Sequence, residues 1–248
     1  MMTINNPRFS VIIPAYNEEA YLPRLLDTVD IARARYRGGA NAIEIIVADN
    51  SSTDGTSALA AARGCTVVSV EKRVIAAVRN GGAAVARGEI LCFVDADFQI
   101  HPETFNVIED LLATGRIIAG ATGVTMERWS AGIAFTYALL IPMVLLLNMD
   151  TGMVFCRKLD YQTVGGYDET KLLAEDVAFL LALRRLGKTR KQKLASSTAA
   201  KAIVSVRKFD EHGDWHFFTD MPRVLLAMLF RKQKLASLAK RYWYVDRR

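Results

Sequence analysis

Eight consecutive residues, Ile90-Leu91-Cys92-Phe93-Val94-Asp95-Ala96-Asp97, constrain this chain more than any other stretch. Five apolar residues without a polar interruption predict a strand covered on both faces, as inside a parallel α/β sheet. The run then stops in two carboxylates one residue apart. A strand continuing through them would put Asp95 and Asp97 on the same side, roughly 7 Å from each other. Two anions at that spacing repel unless a cation or donor groups stand between them. Oxygen ligands of this type suit Mg²⁺ or Mn²⁺, which commonly bridge onward to substrate phosphates. The carboxyl end of a buried strand is also where open α/β sheets take ligands. Read alone, the pair also fits two solvated aspartates opening the turn before His101-Pro102-Glu103, because so short a motif recurs by accident.

The chain has 248 residues, 51% of them hydrophobic, enough for one large α/β domain with a substantial core. Phe9–Ile13 reads as a strand so near the start that no signal peptide is expected ahead of it. Cys65, Cys92 and Cys156 are odd in number and lack metal-type spacing, which predicts a reducing, cytoplasmic setting and argues against zinc. Charge is unevenly divided: residues 184–248 hold 17 Lys and Arg against 5 Asp and Glu, whereas residues 1–183 hold 15 against 21. An acidic body suits a cation site, and a basic end suits anionic partners.

In chain order, strand Phe9–Ile13 is closed by Pro14-Ala15-Tyr16-Asn17-Glu18-Glu19, where Asn17 can cap and the glutamates favour the first turn of a helix running to Tyr36. Ile43–Ala48 is a second buried strand and also ends in acid, Asp49, followed by a polar loop that opens a helix through Arg63. Thr66–Val70 is a third strand. A helix from Val74 to Arg87 leads into the central run. This β-α-β-α-β-α-β spacing predicts a mostly parallel sheet with right-handed crossovers. Three strands therefore deliver polar or acidic loops, Tyr16-Asn17-Glu18, Asp49 and Asp95–Asp97, to one edge, as a nucleotide pocket requires. No strand is followed by Gly-x-Gly-x-x-Gly, and no Gly-x-x-x-x-Gly-Lys-Ser/Thr loop occurs, so dinucleotide-binding and P-loop readings are not supported.

The stretches "FSVIIPAYNEEAYLPRLLDTV", "EIIVADNSSTDGT", "VRNGGAAVARGEILCFVDAD", "VGGYDE" and "EDVAFLLALRRLGK" span Phe9 to Lys188, and in this order the sequence resembles a family 2 glycosyltransferase with the GT-A fold. The resemblance implies a Rossmann-like sheet flanked by helices, with a smaller acceptor-side region. It implies that Ala15, Tyr16, Glu18 and Asp49 hold the base and ribose of a UDP- or GDP-linked sugar. It places Asp95 on the ribose and metal, Asp97 on Mn²⁺ or Mg²⁺, and Arg79 near the phosphates. Asn50 stands where many relatives carry a second aspartate. Gly152 and Glu175 fall on the acceptor side, and Asp176, at a helix start, is the implied catalytic base. Ser205-Val206-Arg207-Lys208-Phe209 resembles the Ser-x-Arg-Arg-Phe stretch of some bacterial members, which puts Arg207 and Lys208 beside the diphosphate. His212 and His216, at i and i+4, have metal-ligand spacing, and His212 is a candidate ligand.

Trp129–Met149 is uncharged for 21 residues, the length of a membrane span. Because Asp150–Phe155 is expected to return as a strand beside Ile90–Asp97, a buried or interface-lying helix is favoured over a crossing one. Phe230–Leu235 and Lys240–Tyr244 mix cations with aromatics, which suits an anionic membrane surface. The expected organisation is a glycosyltransferase domain over 1–208 (nucleotide half to about 100, acceptor half from 101) and a helical basic extension over 209–248. The expected function is inverting, metal-dependent transfer of a sugar to a hydroxyl of a sugar, lipid-linked or small-molecule acceptor. The setting is the cytoplasm, peripheral on the inner face of the membrane, with no nucleic-acid partner. A sugar-phosphate nucleotidyltransferase and a non-catalytic nucleotide-sugar-binding module are the alternatives.

Overall fold

The computed structural model describes residues 6–147, 151–171, 174–197, 199–215 and 218. Its centre is a seven-stranded sheet in the order β3-β2-β1-β4-β7-β5-β8. Strands β1 (Phe9–Ala15), β2 (Ile43–Asp49), β3 (Thr66–Ser69) and β4 (Ile90–Phe93) are mutually parallel. Strand β7 (Val154–Arg157) runs antiparallel between β4 and β5 (Ile117–Ala121), and β8 (Lys193–Ser196) pairs parallel with β5. Every residue of β1 and β4 is buried, which explains their unbroken apolar sequences: both faces are covered by helices. Burying side chains such as Ile12, Ile46 and Leu91 completely contributes on the order of 1.5–3 kcal/mol each.

Helices α1 (Leu22–Arg35), α2 (Thr56–Ala62), α3 (Ile75–Val85) and α4 (Thr104–Ala113) provide the crossovers. From β1 the chain first winds outward to β2 and β3 and then crosses to β4. Strand order therefore reverses at the β1/β4 boundary, the place where open sheets leave a crevice at their carboxyl ends. Beyond β5 follow β6 (Val124–Met126), α5 (Ala131–Leu147), α6 (Lys158–Val164), α7 (Glu175–Thr189), β9 (Ala202–Val204) and α8 (Arg207–His212). β6 and β9 form a two-stranded ribbon.

Backbone packing divides the chain into two compact units, Met1–Thr125 with Asn148–Val204, and Met126–Leu147 with Ser205–Arg248. Within the second unit, Arg128 reaches Asp210 (2.5 Å) and Asp214 (2.8 Å), and the Phe135 and Trp215 rings lie 5.9 Å apart. Among the described residues no helix is long and apolar enough to cross a membrane. Residues 148–150 and the basic-aromatic stretch 230–248 lie outside the described residues.

Two expectations are corrected. The central strand does not run through the aspartates: β4 stops at Phe93. Its partner β7 offers no residue beyond Val154, and β1 supplies only one more bond, from the Val94 N–H to the Ile12 carbonyl (3.1 Å). The Phe98 N–H then closes onto the Asp95 carbonyl (3.1 Å), so Asp95 and Asp97 lie in a turn and strand alternation does not govern them. Likewise, Asn17 does not cap α1, and the glutamates are not in its first turn. The helix starts at Leu22 with a proline at its first positions and no acid in its first turn. Asn17 instead takes a left-handed conformation (φ 53°), which asparagine tolerates because its side chain bonds locally.

Candidate active site

The ends of β1 and β2 are stitched together at the sheet's carboxyl edge. Asn17 accepts the Thr53 N–H (2.8 Å), and its own N–H donates to Ser52 Oγ (3.0 Å). The Glu18 N–H donates to Thr56 Oγ1 (2.8 Å), while Glu19 accepts the Gly55 N–H (2.9 Å). Ala15 sits directly opposite Asp49 in the sheet, and its carbonyl accepts the Asn50 N–H (2.9 Å). Asp49 is buried, and its carboxylate receives the Ser52 N–H at 3.3–3.4 Å. Asn50 is structural: its amide donates to the carbonyls of Val70 (2.5 Å) and Lys72 (3.2 Å), anchoring the loop before α3. That loop brings the Arg73 guanidinium to 5.1 Å from the centroid of the Tyr16 ring. Ala15, Tyr16, Glu18 and Asp49 are thus brought into one neighbourhood.

The other side of the crevice is built on α3. Its sequence, Ile-Ala-Ala-Val-Arg-Asn-Gly-Gly-Ala-Ala-Val, is apolar except for Arg79-Asn80, and both polar residues are committed. Arg79 is 9% exposed. Its Nη2 lies 2.8 Å from Asp95 Oδ1 and its Nη1 lies 2.5 Å from Glu175 Oε1. Burial works against the charge of Arg79, but Asp95, Tyr167 and Glu175 outweigh it and hold the guanidinium above its ordinary pKa. Burial raises the Glu175 carboxyl above its usual range against the pull of Arg79, with Asp176 adding to the rise. The guanidinium also lies over the Tyr167 ring at 5.3 Å, and Tyr167 stacks on Phe179 of α7 (4.2 Å, 24°).

Asn80 explains the Gly165-Gly166-Tyr167-Asp168-Glu169 turn. Its Oδ1 accepts the Tyr167 N–H (2.9 Å) and the Tyr161 hydroxyl (2.7 Å), and its Nδ2 donates to the Tyr167 carbonyl (2.9 Å) and Glu169 (3.0 Å). Gly166 has φ 75°, and a Cβ there would meet the Tyr161 hydroxyl at 2.7 Å and Asn80 Oδ1 at 2.9 Å. Only glycine fits.

Asp176 lies in the first turn of α7 beside Glu175, and its Oδ1 accepts the Val177 N–H (2.8 Å). Gly152 (φ 102°) precedes β7, where the Met153 N–H bonds Thr122 Oγ1 (3.1 Å). Asp97 stands two residues beyond the Asp95 on Arg79, and the segment after it is tied to β9 by the Gln99–Ile203 backbone pair (3.0 and 2.8 Å). Arg207, Lys208 and His212 belong to α8 of the second unit, with Arg207 buried. His212 Nδ1 lies 3.2 Å from the Lys208 carbonyl, and His216 falls outside the described residues. Among the described residues no group of three or more His, Cys, Asp or Glu side chains forms a metal cage.

Two participants escape sequence reasoning. Arg73 is one cation in a loop rich in them, and nothing local announces its stacking on Tyr16. Asn80 leaves a legible trace, since a polar pair inside an otherwise apolar helix needs buried partners.

Residues 10–136, just over half of the chain, match the family model described as glycosyl transferase family 2. The chain belongs to that family. Among its relatives is the undecaprenyl-phosphate 4-deoxy-4-formamido-L-arabinose transferase of Pseudomonas paraeruginosa, 36% identical over an alignment of 124 residues that covers 45% of this chain and 34% of that one. The dolichyl-phosphate beta-glucosyltransferase of Dictyostelium discoideum is 34% identical over an alignment of 120 residues that covers 44% of this chain and 36% of the other. The match thus spans about a third of these relatives' own length. Among solved structures, a mannosyltransferase from Pyrobaculum calidifontis in complex with GDP-Man and Mn²⁺ superimposes with a TM-score of 0.66 at 20% identity, covering 84% of this chain and 60% of that one. The family and the GT-A fold agree with the expectation drawn from the sequence, and the mostly parallel sheet flanked by helices is the one expected.

Proposed function

We propose that the protein transfers a sugar from a nucleoside-diphosphate sugar to an acceptor hydroxyl, with inversion. The reading rests on Arg79, which links Asp95 beyond β4 to Glu175 in the first turn of α7, at the sheet edge where β1 and β2 also end in Ala15 and Asp49. On this reading Tyr16 and Arg73 present a stacking surface to the base, Asp49 and Glu18 bind base and ribose, and the Asp95–Asp97 turn faces the diphosphate. Asp95 and Asp97 offer hard oxygen ligands, and among the described residues no three His, Cys, Asp or Glu side chains group into a metal cage. That fits Mg²⁺ or Mn²⁺ held largely by phosphate oxygens and water rather than by a protein cage. Such an ion, when bound, supplies charge neutralisation to the diphosphate. The mannosyltransferase in complex with GDP-Man and Mn²⁺ supports the same assignment.

In the chemical step Asp176 takes the proton of the acceptor hydroxyl, whose oxygen forms a bond to the anomeric carbon from the face opposite the leaving diphosphate. The bond from that carbon to the phosphate oxygen breaks, and the nucleoside diphosphate leaves with the electron pair. Arg207 and Lys208, by the resemblance of their sequence stretch, are assigned to neutralising that leaving group. The nucleotidyltransferase alternative wants a glycine-rich basic loop after the first strand, and this chain has Asn17-Glu18-Glu19 there.

Lipid-phosphate acceptors are named in two relatives, which favours a lipid-linked acceptor and peripheral binding to an anionic membrane. The α5 region agrees, since Phe135 is 63% exposed and Leu139 65%, with Trp129 packed edge-on against Tyr137 (5.4 Å). The test is Mn²⁺-dependent hydrolysis of UDP- and GDP-sugars, followed by transfer to the hydroxyls of a polyprenyl-linked sugar in anionic vesicles. Turnover that chelation abolishes is expected. A donor that binds and is never turned over would leave a binding module in its place.

A further inference from the structure

We propose that Arg79 is the positioning residue of the site, a buried strut that fixes the Asp95 turn relative to the start of α7; this rests on the glycosyl-transfer reading above. The geometry carries it in three ways. First, the planar fork of the guanidinium is split between two carboxylates instead of being spent bidentately on one: Nη2 on Asp95 at 2.8 Å and Nη1 on Glu175 at 2.5 Å. A rigid fork holding two different chain segments sets a distance between them, which a lysine head cannot do. Second, the strut has a fixed base, because Arg79 is flanked on α3 by the buried Ala76, Ala77, Val78, Gly82 and Ala83.

Third, α3 grips Tyr167, in the turn ahead of α7, twice. The face of the Arg79 guanidinium covers Tyr167, which stacks on Phe179 of α7, while Asn80 pins the Tyr167 backbone through both its N–H and its carbonyl. Each terminal nitrogen of Arg79 engages one carboxylate, and its Nε finds no hydrogen-bond partner. Asp95 gives one oxygen to the strut while its side chain stays 43% exposed, so a held carboxylate is presented at the crevice. Positioning of this kind matters because small misplacements between a base and a reacting centre cost rate steeply.

The test compares wild type, Arg79→Met, Arg79→Lys and the double variant Arg79→Met/Glu175→Gln. The double variant removes the buried charge that the single one strands, so it separates folding from positioning. Thermal melts report the fold, UDP and GDP titrations with and without Mn²⁺ report binding, and hydrolysis of UDP-glucose and GDP-mannose reports turnover. In the double variant cooperative melting returns, nucleotide affinity without Mn²⁺ stays within about twofold, and kcat remains about 30-fold or more below wild type, a split that loss of fold does not produce. The affinity gained on adding Mn²⁺ also shrinks by about fivefold or more, since Asp95 is no longer held.

A double variant that regains wild-type turnover together with its fold would overturn the proposal, because Arg79 would then only neutralise Glu175. Should the double variant fail to melt cooperatively, Arg79→Lys decides: wild-type kcat there equally overturns the strut. Wild-type protein that neither binds UDP or GDP nor hydrolyses either donor would remove the functional reading first, and the strut with it.

Discussion

Arg79 and Glu175 are 96 residues apart in sequence, yet Nη1 of one lies 2.5 Å from Oε1 of the other, and both side chains are nearly closed to solvent. A buried pair of this kind is weak evidence of stability on its own, because desolvation offsets much of the attraction. Removing one partner, however, strands a charge and typically costs about 3–5 kcal/mol. Arg79 keeps this contact while also holding Asp95, so the turn after β4 and the start of α7 share one cation.

The Gly165-Gly166 turn tests how tightly the segment between α6 and α7 is built. Gly165 and Gly166 both have positive φ, but a Cβ at Gly165 meets open space whereas one at Gly166 collides with Tyr161 and Asn80. Gly165→Ala should cost about 1–2 kcal/mol, the left-handed penalty alone. Gly166→Ala should cost more, lowering Tm by a further few degrees, given roughly 2–4 °C per kcal/mol in a chain of this size. Equal shifts in a thermal melt would mean that the Asn80 contacts give way freely.

Glu44 sets a pH dependence. Burial pushes its carboxyl up, but Ser10 Oγ, the Arg87 N–H and the Arg87 guanidinium more than offset this and hold it below its ordinary 4.5. A folded pKa below the unfolded one gives stability that is fully present above about 4.5 and lost as pH falls through the folded value. Glu44→Gln should therefore melt earlier than wild type at pH 7, and the two melting curves should converge as pH falls below 4.5. A constant offset down to pH 3 would show that the charge of Glu44 contributes nothing.

Much of this arrangement is legible in the sequence, for physical reasons. Phe9–Ala15, Ile43–Asp49 and Ile90–Phe93 are covered on both faces, so their apolar runs mark the strands, and the acids that follow mark one edge. The end of β4 is not legible, because an apolar Val94 continues the pattern after the pairing with β7 has ended. Asn17 reads as a cap from composition, yet its partner is a loop 36 residues away. Pairings such as Arg79 with Glu175 join positions that only the folded sheet brings together, and periodicity along the chain carries no trace of them.

Asp176→Asn keeps the size of the side chain and its hydrogen bond to the Val177 N–H but removes proton acceptance. Transfer should fall roughly 100-fold or more with donor affinity nearly unchanged. Steady-state kinetics beside a donor titration would show it. A wild-type rate in this variant would assign the proton to another group and leave Asp176 a helix-terminal acid.

Whether the turn after β4 and the ends of β1 and β2 form a metal-assisted nucleoside-diphosphate site is read from calorimetric titration of UDP and GDP with and without Mn²⁺, on wild type and Asp97→Ala. One of the two nucleotides should bind wild type about tenfold or more tightly with Mn²⁺ than with chelator, because no neighbouring carboxylate on that turn replaces Asp97. Asp97→Ala should keep the metal-free affinity and lose the gain. Identical isotherms with Mn²⁺ and with chelator, in wild type as in the variant, would contradict the account.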